Sequence, residues 1–491
     1  MKAYYYLIIP TMLLVSCESS NNHALDLPVG PEPTMMYLEV QGEGYQVNLS
    51  STDTLNLRTL CAEFGPSEFK VLNYTDFKSI SIWDKPVTDG VAEVNFYNGI
   101  PQDVHMACKY TTATGEGSFL INTYPGKAPG FQSEGLAELP GDFYLSFIYQ
   151  PLIMKVDNAG RLLYYRFEPT DYNGTFKELG CWDFKKHVFD GKIYYSYHAP
   201  DWKFGSKATT GYVPGMRILM DDHYNPIDTI HALASRDGYL PEGSPLDGHD
   251  FYFFSPTHWI ASASYVEREF VDGTKRAVAY LQEVDNGKVV FDWWSTDHSE
   301  LEKMGSPAFD TSYDYVHFNS IDVLPDGDWL VSFRALSSIA VINHNYGAIK
   351  WIQNGEVFSQ LPWGYSGQHY VRYHEIGGKP YITLFNNGNN LQNTTVVRLE
   401  MVNFDSTAPQ IFDGKNLLSN SFPHYFTQAC GALDYFGDQG FVMGWGWSTD
   451  PGNCTRLVSE FNRDGNEIFR LDRDDPDPMS VDPSYRCVKC P

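Results

Sequence analysis

The stretch LQEVDNGKVVFDWW, residues 281 to 294, alternates apolar and polar side chains, breaks at Asn286-Gly287, and alternates again. A period of two marks a half-buried strand, and Asn-Gly supplies the two left-handed residues of a tight hairpin. The same hairpin recurs as IMKVDNAGRLLYY (153 to 165), RILMDDHYNPIDTI (217 to 230), AVINHNYGAIKWI (340 to 352) and VSEFNRDGNEIFRL (458 to 471). Turns placed at Gly160, Pro226, Gly287, Gly347 and Gly465 are spaced by 66, 61, 60 and 118 residues. The long last interval predicts a further copy near residue 406, where VNFDSTAPQIF (402 to 412) offers a turn. Upstream of the hairpins lies a second strand pair with a Gly turn, as in HVFDGKIYYSY (187 to 197), DVLPDGDWLVSF (322 to 333), HEIGGKPYITLF (374 to 385) and DYFGDQGFVMGW (434 to 445). Four strands in each of six repeats predict an all-β chain with a six-bladed β-propeller over 131–491, whose radial repetition protects the sheet edges.

Residues 34–130 fall outside the repeat but keep the alternation, as in MMYLEVQGEGYQVNL (35 to 49), and read as a small N-terminal β-sandwich. The 491 residues include 11 Trp, 33 Tyr and 31 Phe, enough to fill large β cores. Against 35 basic residues stand 61 acidic ones, a net charge of −26, so the field repels polyanions and nucleic acid is excluded as a partner.

Residues 1–17 carry Lys2 and a short apolar run ending Leu14-Val-Ser-Cys17, the pattern of a lipoprotein signal peptide in which Cys17 is lipidated. An ordinary signal peptide with an incidental Cys is the other reading. Residues 18–33, polar and then Pro-rich, read as a tether. The expectation is an exported bacterial lipoprotein facing the periplasm or the cell surface, touching the membrane through its lipid anchor alone. In such a compartment Cys61 with Cys108 and Cys430 with Cys454 are plausible disulfides, and Cys487-Val-Lys-Cys490 reads as a terminal staple rather than a redox or metal motif.

Three histidines share one position of the repeat: His249, His317 and His369 each open the first strand of consecutive blades and should face one another at a mouth of the channel. Asn319, two residues after His317, points to the same strand face. Arg334 interrupts the apolar run VSFRALSSIAVI, which suits either a channel anion or a pairing with Asp322.

In order and spacing, His317-Phe-Asn319, Leu330-Val-Ser-Phe-Arg334, Asn354-Gly355, Gln368-His369 and Leu384-Phe-Asn-Asn387-Gly388 resemble the bacterial arylsulfate sulfotransferase family, and His249-Asp250-Phe251 matches its earlier His motif. The resemblance implies a transferase that moves a sulfuryl group from a small aryl sulfate donor to a phenolic acceptor without a nucleotide sulfate donor, other cofactor or metal. It further implies that His369 is the nucleophile that becomes sulfated, with His249, His317, Asn319 and Arg334 binding and polarising the sulfuryl group. The sequence departs from the family at Asn386, where Asp is expected, which puts the orientation of the nucleophile in question. A loose, charge-spread transition state needs positioning and electrostatic stabilisation above all. Residues 281 to 294 and the rest of the repeat fit equally a non-catalytic propeller lipoprotein that binds a glycan or small anion, and water as acceptor would turn transfer into hydrolysis.

Overall fold

The computed structural model describes residues 33–40, 42–52, 54–57, 66–95, 106–122, 131–149, 151–167, 180–201, 211–263, 266–306, 308–357, 364–402, 410–448, 455–473 and 484–491. The leader with Cys17, the tether up to residue 32, Cys61 and Cys454 lie outside them. Among the described residues no helix is long and apolar enough to cross a membrane.

The alternation in MMYLEV places Met36, Leu38 and Val40 on one face of the strand Met35–Val40, fully buried. That strand sits in a four-stranded sheet, and Ile80, Ile82, Met106, Phe119 and Ile121 of a second, five-stranded sheet close the same core from the other side. The two sheets therefore bury their apolar faces against each other, as period-two strands must.

Beyond residue 130 the described chain runs through six antiparallel meanders. Five of them are consecutive in sequence and begin at the strands Trp182–Phe189, Phe251–Ser255, Phe318–Val323, His369–Ile376 and Ala432–Tyr435. The remaining meander takes Asp142–Phe147, Leu152–Val156 and Leu162–Phe167 and completes itself with the C-terminal strand Ser484–Cys490, which pairs antiparallel with Asp142–Phe147. The first strands pack one on the next in a cycle that returns through Ser484–Cys490 to Trp182–Phe189. No single sheet among the described residues closes on itself.

Most of the expected turns are where the sequence puts them. Asn286 (φ 47°) and Gly287 (φ 74°) form a two-residue left-handed turn between Tyr280–Asp285 and Lys288–Trp294. The turn expected at Pro226 sits just before it: Asp221 Oδ1 accepts the backbone N–H groups of His223 and Asn225, and Pro226 opens the next strand. Proline fixes φ without an N–H to give, so a strand start suits it. The turn expected near residue 406 falls in 403–409, outside the described residues, between the paired strands Thr395–Val402 and Gln410–Asn416.

The cysteine expectations are corrected. Cys108 and Cys430 carry free thiols, so the pairings with Cys61 and Cys454 are not made. Cys487 and Cys490 are also free. Three residues apart on one strand, they point to opposite faces, Cys487 into one core cluster and Cys490 against another. The terminal staple is the strand itself. Its Arg486, 1% exposed, donates Nη1–H to Asp183 Oδ1 at 2.9 Å and Asp250 Oδ1 at 3.2 Å. Removing one partner of a buried ionic network leaves uncompensated charge, so Arg486→Met is expected to lower the unfolding free energy by about 3–5 kcal/mol, read from urea denaturation.

Candidate active site

The first strands of the meanders do not run straight into the ring. The ladders slip at Trp182/Lys185, Phe318/Ser320 and His369/Arg372, and left-handed residues sit in or beside the slips: Asp183 (φ 52°), His317 (φ 46°) and Tyr370 (φ 52°). Each costs about 1 kcal/mol or more, and each turns the strand's opening side chain out of the pleat. Trp182 and His317, so aimed, converge with His249, which precedes the strand Phe251–Ser255. His249 and His317 meet edge to face with ring centroids 5.0 Å apart, and Trp182 lies 5.4 Å from His249. Tyr485 of the C-terminal strand stacks on Trp182 at 4.2 Å and donates its hydroxyl to the His249 carbonyl at 2.8 Å.

The three imidazoles differ in what stands behind them. His249 Nδ1 is 2.7 Å from Asp247 Oδ1, and His317 Nδ1 is 2.6 Å from Asp314 Oδ2. A carboxylate accepts only, so both rings carry hydrogen on Nδ1. His369 has no carboxylate there: its Nδ1 lies 2.7 Å from Asn387 Oδ1 and 3.1 Å from the Gly367 carbonyl. Asn387 Nδ2 is committed to the carbonyls of Thr427 and Cys430, which fixes Oδ1 as the atom facing the ring. Nδ1 of His369 thus donates, and Nε2, which accepts the Cys430 backbone N–H at 3.2 Å, carries the lone pair.

Charge reinforces that assignment. Burial, then the Arg334 guanidinium, then His249 and His317 hold His369 well below the usual histidine range, against the hydrogen bond to Asn387. The ring is neutral at pH 7. His317 is also pulled down by burial, but Asp314 opposes that with both its charge and its hydrogen bond. Carboxylates thus stand behind two of the imidazoles, while the third, His369, keeps a free electron pair on Nε2.

Arg334 donates Nη2–H to the Gln428 carbonyl at 3.1 Å and lies 4.4 Å over the Phe309 ring. Asp322 is occupied elsewhere, accepting the backbone N–H groups of Val323 and Tyr373. Asn319 is fully buried and donates Nδ2–H to the Gln368 carbonyl at 2.7 Å, so it grips the backbone next to His369. Beneath the histidines Asp250 meets Lys185, Arg372 and Arg486, and accepts the Ile321 N–H at 2.9 Å. Burial raises its carboxyl, but the three cations outweigh burial and hold it well below the usual range.

The comparisons with known proteins bear on this geometry. Residues 265–481 match the arylsulfotransferase (ASST) family model. The arylsulfotransferase match bears out the resemblance carried by His317, Asn319, Arg334, His369 and Asn387, all of which lie inside it. His249 and the C-terminal strand lie outside it. No curated protein matches the chain. Among solved structures, a protein of unknown function from Bacteroides caccae is similar at 12% identity and TM-score 0.39, over 71% of this chain and 98% of that one. The Dos1 propeller is similar at 10% identity and TM-score 0.34, over 90% and 93% of the two chains. Virginiamycin B lyase from Staphylococcus aureus follows at 10% identity and TM-score 0.26, over 70% and 98%.

The structure brings together all five residues expected from the sequence: His249 and His317 meet ring to ring, Arg334 and both of those histidines act on His369, and Asn319 holds the Gln368 carbonyl beside it. At the departure from the family pattern, Asn386 Oδ1 accepts the N–H groups of Ser366 and Gly388, while its neighbour Asn387 is the residue that orients the His369 ring. Sequence reasoning missed Asp247 and Asp314, although an Asp two or three residues before a strand-opening His is a legible signal that Ser366-Gly-Gln-His369 lacks. Asp472 pairs with Arg470 and Arg456. Among the described residues, Asp221, Asp222 and His223 lie close enough together to hold a cation, in a turn that none of these three histidines joins.

Proposed function

We propose that the protein is an aryl sulfotransferase that carries a sulfuryl group from an aryl sulfate to a phenolic acceptor on His369, in a ping-pong cycle needing neither nucleotide nor metal. The observation that carries this reading is the asymmetry of the three imidazoles: His369 is neutral with its lone pair on Nε2, and His249 and His317 are backed by carboxylates. In the first half-reaction Nε2 attacks sulfur, the S–O bond to the aryl group breaks, and the phenolate takes a proton from His317 or His249. Arg334 offers a planar fork of donors to the sulfuryl oxygens. The second half-reaction runs in reverse on the acceptor phenol, the same imidazole taking its proton.

The six meanders form, in this reading, six blades over 131–491 on a lipid-anchored, exported body, with 34–130 as a separate sandwich. The direct test is phenol release from a chromogenic aryl sulfate, with and without a phenolic acceptor and with a chelator, followed by mass spectrometry of the quenched enzyme. Acceptor-dependent release that survives chelation, with a sulfo adduct on the His369 peptide, is the expected result. No release across several donors sinks the transferase in favour of a binding propeller.

A further inference from the structure

The segment Thr427–Gly431 contributes no side chain to the chemistry proposed above, yet its backbone is tied at nearly every residue beside His369. Asn387 Nδ2 holds the carbonyls of Thr427 and Cys430, and Arg334 Nη2 and Asn389 Nδ2 both hold the carbonyl of Gln428. Trp447 and Ala429 form a bridge, and the Gly431 N–H donates to the Tyr485 carbonyl. Cys430 itself is left-handed at φ 64°, and Gly431 follows at 103°. A Cβ on Gly431 would stand 2.6 Å from the Phe385 ring, so the chain is pressed flat there. The result of all these ties is one N–H, that of Cys430, pointing at His369 Nε2 from 3.2 Å. Asn387 fixes both ends of the arrangement, since it orients the imidazole through Oδ1 and this peptide through Nδ2.

We propose that the Cys430 backbone N–H is a catalytic donor for the sulfuryl group: it caps the Nε2 lone pair at rest and transfers to a sulfuryl oxygen as the N–S bond forms. This rests on the His369 reading. In the step, the Nε2 electron pair forms the bond to sulfur, and the S–O bond to the aryl group breaks with its pair leaving on the phenolate oxygen. Nδ1 keeps its hydrogen, and the ring becomes a sulfo-imidazolium whose three sulfuryl oxygens carry the negative charge. Those oxygens sit two bonds from Nε2, where the Cys430 N–H already points. A fixed amide dipole aimed at developing charge in a water-poor site needs no reorganisation at the moment of reaction. The Cys430 thiol has no part in it.

Replacing the amide with an ester, by incorporating an α-hydroxy acid at position 430, removes that N–H and keeps every side chain, its one other cost being a weaker Ala429 carbonyl for the Trp447 N–H. The expected result is a folded protein whose rate of sulfo-His369 formation is about 10²–10³-fold lower, the usual effect of losing one such donor. A second series reads the same point through backbone shape. Cys430→Gly and Cys430→Asn, which tolerate φ near 64°, are expected to lose far less of the rate than Cys430→Val, which does not. If wild type forms no sulfo adduct, the His369 reading falls and this one with it. If wild type forms the adduct and the ester, or Val against Gly, changes nothing, the donor assignment alone is overturned. Equal loss in Gly, Asn and Val would point to the thiol and overturn it as well.

Discussion

His369→Ala is expected to end turnover, with a loss of at least about 10⁴-fold in kcat, while the far-UV spectrum and thermal midpoint stay close to wild type. The size follows from the role: deleting a covalent nucleophile removes the chemical route, and only residual binding and polarisation remain. The intact fold follows from the contacts. His369 is buried, but its three hydrogen bonds go to Asn387, the Gly367 carbonyl and the Cys430 N–H, and each of those segments is tied independently. Ser366, Gly388 and Asn386 hold the first two together, and Asn389 and Arg334 hold Gln428 beside the third. The truncation frees the Cys430 N–H, the Asn387 Oδ1 and the Gly367 carbonyl around a small polar gap that water fills. Full activity in His369→Ala, or a sulfo adduct that survives the substitution on another peptide, would end the proposed mechanism. Loss of activity together with loss of fold would be a different failure, visible in the thermal midpoint.

The parts of this arrangement that were legible in the sequence are those set by neighbours along the chain. Asn286-Gly287 and the alternating residues around it define a hairpin wherever they occur, and His249, His317 and His369 come at nearly the same point of consecutive meanders, two residues before Phe251–Ser255, one before Phe318–Val323 and first in His369–Ile376. What could not be read is what the ring brings together from far along the chain. The Cys430 N–H meets a histidine 61 residues away, and nothing in Gln428-Ala-Cys430-Gly marks it. The closure of the first meander by Ser484–Cys490 joins residues about three hundred and forty positions apart. Cysteine spacing suggested a disulfide at that end, where backbone pairing and Arg486 do the joining. Asp250 stood next to His249 in the sequence without a role, since its partners Lys185, Arg372 and Arg486 come from three other strands.

The double substitution Asp247→Asn with Asp314→Asn separates proton donation from nucleophilic attack. It is expected to lower kcat/KM by about 10²–10⁴-fold for aryl sulfates with weakly acidic phenols, and far less for those whose phenolates leave unaided. The geometry sets this dependence. Asp247 and Asp314 each hold one histidine, accepting its Nδ1–H at 2.7 and 2.6 Å and its backbone N–H at 3.2 Å, and neither is hydrogen-bonded to His369. The pH dependence has a definite sign. The donor must be protonated, so activity falls as pH rises through the donor's pKa. Burial already draws His317 below its ordinary value and Asp314 opposes the fall, so removing Asp314 lowers it further. The alkaline limb of the profile therefore moves to lower pH in the variant. The acid limb belongs to His369, held well below the ordinary range by burial and Arg334, and stays where it is. A good leaving group needs no proton, so with such a donor the variant should show near wild-type rates and the same sulfo adduct. If the loss were equal for good and poor leaving groups, the two carboxylates would be holding the site's shape and not its proton.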